Sequence, residues 1–189
     1  MATFNFAPAA SADDALEAGG SMTLNGASIA VSATTRYYGL SLDTSATPIA
    51  QGTTISSAIL SYTVVGVSQI FLIWKGHKVI DSAQFAGSAN NISNRYSGAP
   101  TTASTTEASA GVAGGTRRTV DLTAITQELV NQASWASTSR LTYIAKGDTG
   151  VDVTIRAWDN GADWATLVVT TATGIVLKTG YFLALLANN

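Results

Sequence analysis

The chain contains no cysteine. That excludes a disulfide-stapled extracellular scaffold, thiolate metal sites and a cysteine nucleophile. It has one histidine, His77, so no second imidazole or thiol can complete a triad or a transition-metal set around it. His77 follows Gly76 in an expected turn and reads as an ordinary loop residue. Serine and threonine are plentiful, yet no Gly-x-Ser-x-Gly elbow occurs, which leaves acyl transfer without support. Charge is also scarce. Asp, Glu, Lys and Arg make up 12% of the chain, against roughly 25% in ordinary soluble domains. The surface must then be covered by Ser, Thr, Asn, Gln, Gly and Ala, as suits secreted proteins and assembled particles, part of whose surface is hidden in contacts.

Long apolar runs are missing as well. Nothing approaches an 18-residue span, and the most apolar stretch, residues 175–187, is broken by Lys178, Thr179 and Gly180. The N-terminus has neither a basic region nor an apolar core, so no secretory signal is read and no membrane is expected. The net charge of −2 is spread singly. Arg117-Arg118 is the only basic pair, without the clustered Lys/Arg and interleaved aromatics that a nucleic-acid surface needs, and is expected in a solvated turn.

What is present is β-pattern. The 189 residues are read as one domain, with 46% hydrophobic residues to fill a core. Residues 1–20 form an expected arm or edge segment. Ser-Met-Thr-Leu and Ser-Ile-Ala-Val flank Asn25-Gly26 as in a hairpin. Strands are expected over 35–43, 53–65 and 69–75, the last two paired across Gly66, with a shorter strand over 78–85. Residues 87–116 read as loop-rich with one strand near 101–108. Further strands are expected over 139–145, 151–158, 164–171 and 175–186. One helix stands out near 121–133, where Leu122, Ile125, Leu129, Val130 and Ala133 recur at helical spacing, Asp121 offers an N-cap and Trp135 closes the segment. Strands with turns every 8 to 12 residues and no βαβ alternation predict an all-β, antiparallel two-sheet β-sandwich or jelly roll with one short helix.

The ordered run ADDALEAGGSMTLNG, RYYGLSLD, PIAQGTTISSAILSYTV, DLTAITQELVNQASW and SRLTYIAKG resembles a β-sandwich domain of bacterial surface and environmental proteins. The likeness spans residues 11 to 170. Ser41-Leu42 stands where that family has Arg-Phe, and a tryptophan expected around 100–112 is missing. The resemblance implies a jelly-roll-like sandwich, similar in shape to carbohydrate-binding modules and used for display or adhesion. Shape alone also brings an expectation of structural calcium, with Asp13, Asp14, Asp159 and Asp163 as oxygen donors. A Cys-free, signal-less sandwich with an apolar tail over 174–189 is in turn similar to phage virion components such as head-decoration or tail-associated proteins.

The expectation is therefore a non-enzymatic structural protein of a viral particle. It would be a capsid decoration or other virion surface protein, synthesised in the host cytoplasm, oligomeric, and held by contacts with neighbouring subunits. Phe4, Phe6, Tyr181, Phe182, Leu185 and Leu186 are the expected interface anchors. The alternative is a carbohydrate-binding or adhesion module of a cell-surface or tail-fibre assembly, with Trp74, Trp158 and Trp164 as sugar-stacking platforms. The carboxylates Glu17, Glu107, Glu128, Asp148, Asp152, Asp159 and Asp163 show no arrangement that indicates a glycosidase cleft.

Overall fold

A computed structural model describes residues 1–66 and 68–172. The chain is all-β, with twelve strands and two short helices among these residues. A four-stranded antiparallel sheet has the order β1 (Ala2–Phe6), β12 (Thr166–Thr171), β6 (Ile55–Thr63), β9 (Arg117–Asp121). A six-stranded antiparallel sheet runs β3 (Ser21–Thr23), β2 (Asp14–Ala18), β5 (Arg36–Leu42), β10 (Leu141–Gly147), β7 (Ser68–His77), β8 (Pro100–Val112). A two-stranded ribbon joins β11 (Val153–Arg156) to β4 (Ser28–Val31).

Alternation sends one set of side chains from each sheet into a shared core. Its centre is aromatic. Trp74 on β7 meets Tyr38 on β5 edge-on at 5.9 Å and Tyr62 on β6 at 6.2 Å, so these rings join the two sheets. Leu40, Leu60, Leu72, Ile70 and Leu167 pack around them.

Several local expectations give way to long-range pairing. The strands flanking Gly66 do not pair with each other. β6 lies between β12 and β9, while β7 lies between β10 and β8, so Gly66 carries the chain from one sheet to the other. Gly66 sits at φ +75°, and a β-carbon on Gly114 would come within 2.6 Å of its nitrogen. The Asn25-Gly26 turn is likewise no hairpin, because β3 pairs with β2 and β4 with β11. Residues 78–85 form no strand. Arg117 and Arg118 belong to β9 rather than to a turn: Arg118 reaches Glu107, and Arg117 donates to Thr166 Oγ1 at 2.6 Å.

The predicted helix is present as α2 (Thr123–Val130), shorter than its apolar pattern. Leu122, not Asp121, takes the N-cap position, and the Asp121 carboxylate accepts the Thr123 N–H at 2.8 Å from two residues before the helix. Trp135 closes the segment by donating Nε1–H to Ile49 O at 2.9 Å. Ile125 and Leu129 lie over Gly76, where a β-carbon would meet both at 3.0–3.1 Å.

A second helix, α1 (Asn91–Gly98), occupies the stretch expected to be loop, followed by the 13-residue β8. Its sequence, NISNRYSG, has poor intrinsic propensity. Tertiary contacts hold it. The buried Glu17 carboxylate on β2 accepts the N–H groups of Ile92 and Ser93, both at 2.8 Å. Ile92 joins Phe85, Ile144 and Ala15 in a second apolar cluster on the outer face of the six-stranded sheet. That sheet is therefore covered on both faces here.

Candidate functional site

The head of β2, the residue before β10 and the turn between β11 and β12 meet at one corner. Asp13, Asp14 and Asp159 come together at this corner. Asp13 is ion-paired with Arg140 and also accepts from Gln84 Nε2 and the Ala9 N–H, each at 2.9 Å. Arg140 spreads further, to Ser41 Oγ and Ser41 O at 2.9 Å and to Asp43 at 3.4 Å. Its guanidinium knits β2, β5 and β10 together, and Ser41, a departure from the resembled family, is one of its acceptors.

Asp14 is only 1% exposed. One oxygen accepts the Trp158 N–H at 2.8 Å; the other, Oδ1, has no hydrogen-bond partner. Burial pushes its pKa up to about 7, against the Trp158 N–H, with the charges of Asp159 and Asp13 adding to the rise. Tyr38, whose hydroxyl is also unpartnered in the core, is raised well above the ordinary tyrosine range by burial and then by Asp14.

The turn above Asp14 carries two half-buried tryptophans. A short 3-10 turn over Trp158–Asn160 begins it, and Trp158 and Trp164 lie with ring centroids 4.5 Å apart at 56°. Asp159 accepts from Ser11 Oγ at 2.7 Å, and Asp163, at φ +57°, faces Arg156 at 3.4 Å.

The four acids expected to hold calcium have protein partners here. Asp13 faces Arg140, Gln84 and the Ala9 N–H, and Asp163 is turned to Arg156. Among the described residues no group of three or more His, Cys, Asp or Glu is arranged to hold a metal ion.

The expected stacking platforms separate. Trp74 is fully buried at the centre of the core and offers no face to a sugar. Trp158 and Trp164 retain partial exposure as a pair. The interface anchors separate too. Phe6 is buried and Phe4 packs beside it on the inner face, rings stacked at 6.4 Å, so both side chains serve the core. What β1 presents outward is Thr3, Asn5 and its backbone edge. Tyr181, Phe182, Leu185 and Leu186 lie outside the described residues.

Other acids prove structural. Glu128, expected on the polar face of α2, pairs with Lys78 at 2.9 Å and accepts the N–H groups of Thr102 and Ala103. Burial alone would raise its pKa, but those bonds outweigh it and hold the carboxyl below its usual range. Glu107 accepts the Tyr62 hydroxyl at 2.8 Å and Arg118 at 3.4 Å, with its pKa raised by burial.

His77 closes β7 half-buried, its Nδ1 2.8 Å from Ser82 Oγ, which Arg95 also reaches at 3.2 Å. The three residues are spread over 19 positions without a motif, so only the fold assembles them. No protein-family model matches this chain, and a search of the curated proteins found no match.

Proposed function

We propose that this protein is a non-enzymatic structural subunit on the surface of a viral particle, a capsid decoration or other virion surface protein acting through protein–protein contacts. The observation that carries the reading is the outer face of the four-stranded sheet. Across its centre Asn5, Val168 and Ile59 line up in register, with Thr3, Thr170 and Ser57 in the next row. These rows carry no charge, and Val168 is 36% exposed at their middle. Charge enters only at the β9 margin, where Arg117 and Asp121 are exposed.

β1, the last strand on its side among the described residues, adds an edge of Ala-Thr-Phe-Asn-Phe with no Lys, Pro or bulge to discourage pairing. Edges that stay solvent-facing usually carry such devices. A neutral face beside an unguarded edge suits docking on neighbouring subunits, with the phage setting resting on the analogy between a Cys-free β-sandwich and virion components. Light scattering on size-exclusion eluate tests it. The full chain should elute as an oligomer, and Val168→Lys with Thr3→Lys should shift it toward monomer without lowering its melting temperature. A monomeric chain whose mobility is retarded in a glycan gel would overturn the reading.

The second reading, a carbohydrate-binding or adhesion module, is favoured by the Trp158–Trp164 pair beside Asp159, Asn160 and Asp163. Paired aromatic faces next to polar groups suit the apolar faces and hydroxyls of a sugar ring. In that case Trp164→Ala removes the glycan retardation while leaving the elution volume unchanged.

A further inference from the structure

We propose that the groove between α1 and the loop after β7 is a binding site for a small oxyanion, a carboxylate or a phosphate or sulfate group, with Arg95 as its charge partner and His77 as a second donor. The groove is open to solvent, measures about 310 Å³, and its lining includes His77, Ser88, Asn91, Asn94 and Arg95. Asn91, Asn94 and Arg95 stand at i, i+3 and i+4 on one face of α1, so the helix presents them together. Every polar side chain of the lining can donate a hydrogen bond, and no Asp or Glu lines it.

Arg95 is the decisive residue. It makes three hydrogen bonds, to Ser82 Oγ at 3.2 Å, Ala83 O at 2.6 Å and Gln84 O at 2.9 Å, all neutral acceptors. Its guanidinium also lies 4.8 Å from the Phe85 ring centre. The ion pairs among the described residues involve Lys78, Arg118, Arg140 and Arg156, but not Arg95. A half-buried cation with no counter-charge is costly, and burial lowers its pKa accordingly. Bracing the 82–84 loop and the Phe85 ring explain the neutral contacts, but no carboxylate pairs with the charge. An anion in the groove supplies what is missing.

His77 is placed to help. Ser82 Oγ can accept from Arg95 while giving its own hydrogen to His77 Nδ1, the tautomer that leaves Nε2–H as a donor. Burial, followed by the charge of Arg95, pushes the His77 pKa down to about 4. The ring is thus neutral at pH 7, and Arg95 carries the only full charge of the lining. A bound anion favours the imidazolium and raises that pKa.

Because His77 is the only histidine, its ring resonances report on the groove without ambiguity. The full chain is titrated at constant ionic strength with sodium sulfate, sodium phosphate and sodium D-glucuronate, with sodium chloride as the reference. The expected result is a saturable shift of the His77 signals and a higher His77 titration midpoint; a sulfate or phosphate response against a glucuronate response distinguishes the two sources. Arg95→Gln abolishes the shift. Since Arg95 also braces the loop, Asn94→Asp is the companion variant: it adds a negative charge at an exposed lining position, leaves the brace intact and weakens binding at least tenfold. No saturable response to any of the three anions in the parent chain overturns the proposal, as does a response in both variants as strong as in the parent.

Discussion

Asp14→Asn offers a test whose sign and size follow from the structure. The Asp14 carboxyl is buried at the head of β2 with one oxygen on the Trp158 N–H and the other unpartnered. Lifting its pKa from 3.8 to about 7 means that the folded state disfavours the ionised form by about 4 kcal/mol, at 1.36 kcal/mol per pH unit. A folded-state pKa raised above the unfolded value contributes stability that is complete below pH 3.8 and lost as pH rises through about 7. Asparagine keeps the acceptor for Trp158 and cannot ionise. Near pH 4 the two proteins should therefore unfold at similar urea concentrations. By pH 8 the variant should be the more stable, by up to about 4 kcal/mol. Urea unfolding followed by tryptophan fluorescence, repeated from pH 4 to pH 8, measures the difference, and most other titrations cancel in it. A stability difference that does not change with pH would refute the reasoning. So would a variant that becomes less stable relative to the parent as pH rises.

Three further outcomes are expected. Trp74→Ala, at the point where Tyr38 and Tyr62 meet across the sheets, should cost about 3–5 kcal/mol in urea unfolding, as large aromatic truncations in cores do. Gly39→Ala places a β-carbon 2.4 Å from Phe85 Cζ, so Phe85 must leave the α1 cluster; a loss of about 1–3 kcal/mol and faster amide exchange in α1 are expected, and an unchanged melt would count against the cluster. Lys78→Ala should change stability by less than about 1 kcal/mol, because Lys78 is well exposed, whereas Glu128→Ala should cost more by also freeing the Thr102 and Ala103 N–H groups.

The β character, the antiparallel class and the position of α2 were legible locally. Of the five residues that recur at helical spacing, Leu122, Ile125, Leu129 and Val130 are buried, whereas Ala133 lies beyond α2 and is exposed. α1 was not legible, since one buried Ile92 gives no period and its cap acceptor, Glu17, lies 75 residues away on β2. The two cross-sheet connections escaped for the same reason. Gly66 and Asn25-Gly26 look like hairpin turns in isolation, and nothing local says that the flanking strands prefer partners elsewhere. At the corner near Asp14, the acids could be named from sequence. Their engagement by Arg140, Trp158 and Ser11 could not, because those partners come from distant segments.

By itself the sequence determined the periodicities: which stretches alternate, which one repeats at helical spacing, and that cysteine chemistry and histidine triads are closed to this chain. Those properties belong to residues within a turn or two of one another. Tertiary structure alone decided which strands pair, that Trp74, Phe4 and Phe6 serve the core, and that His77 and Arg95 share one groove and meet at Ser82. Such choices depend on contacts between segments far apart in the chain, where burial and unsatisfied hydrogen bonds, rather than local preference, select the partner.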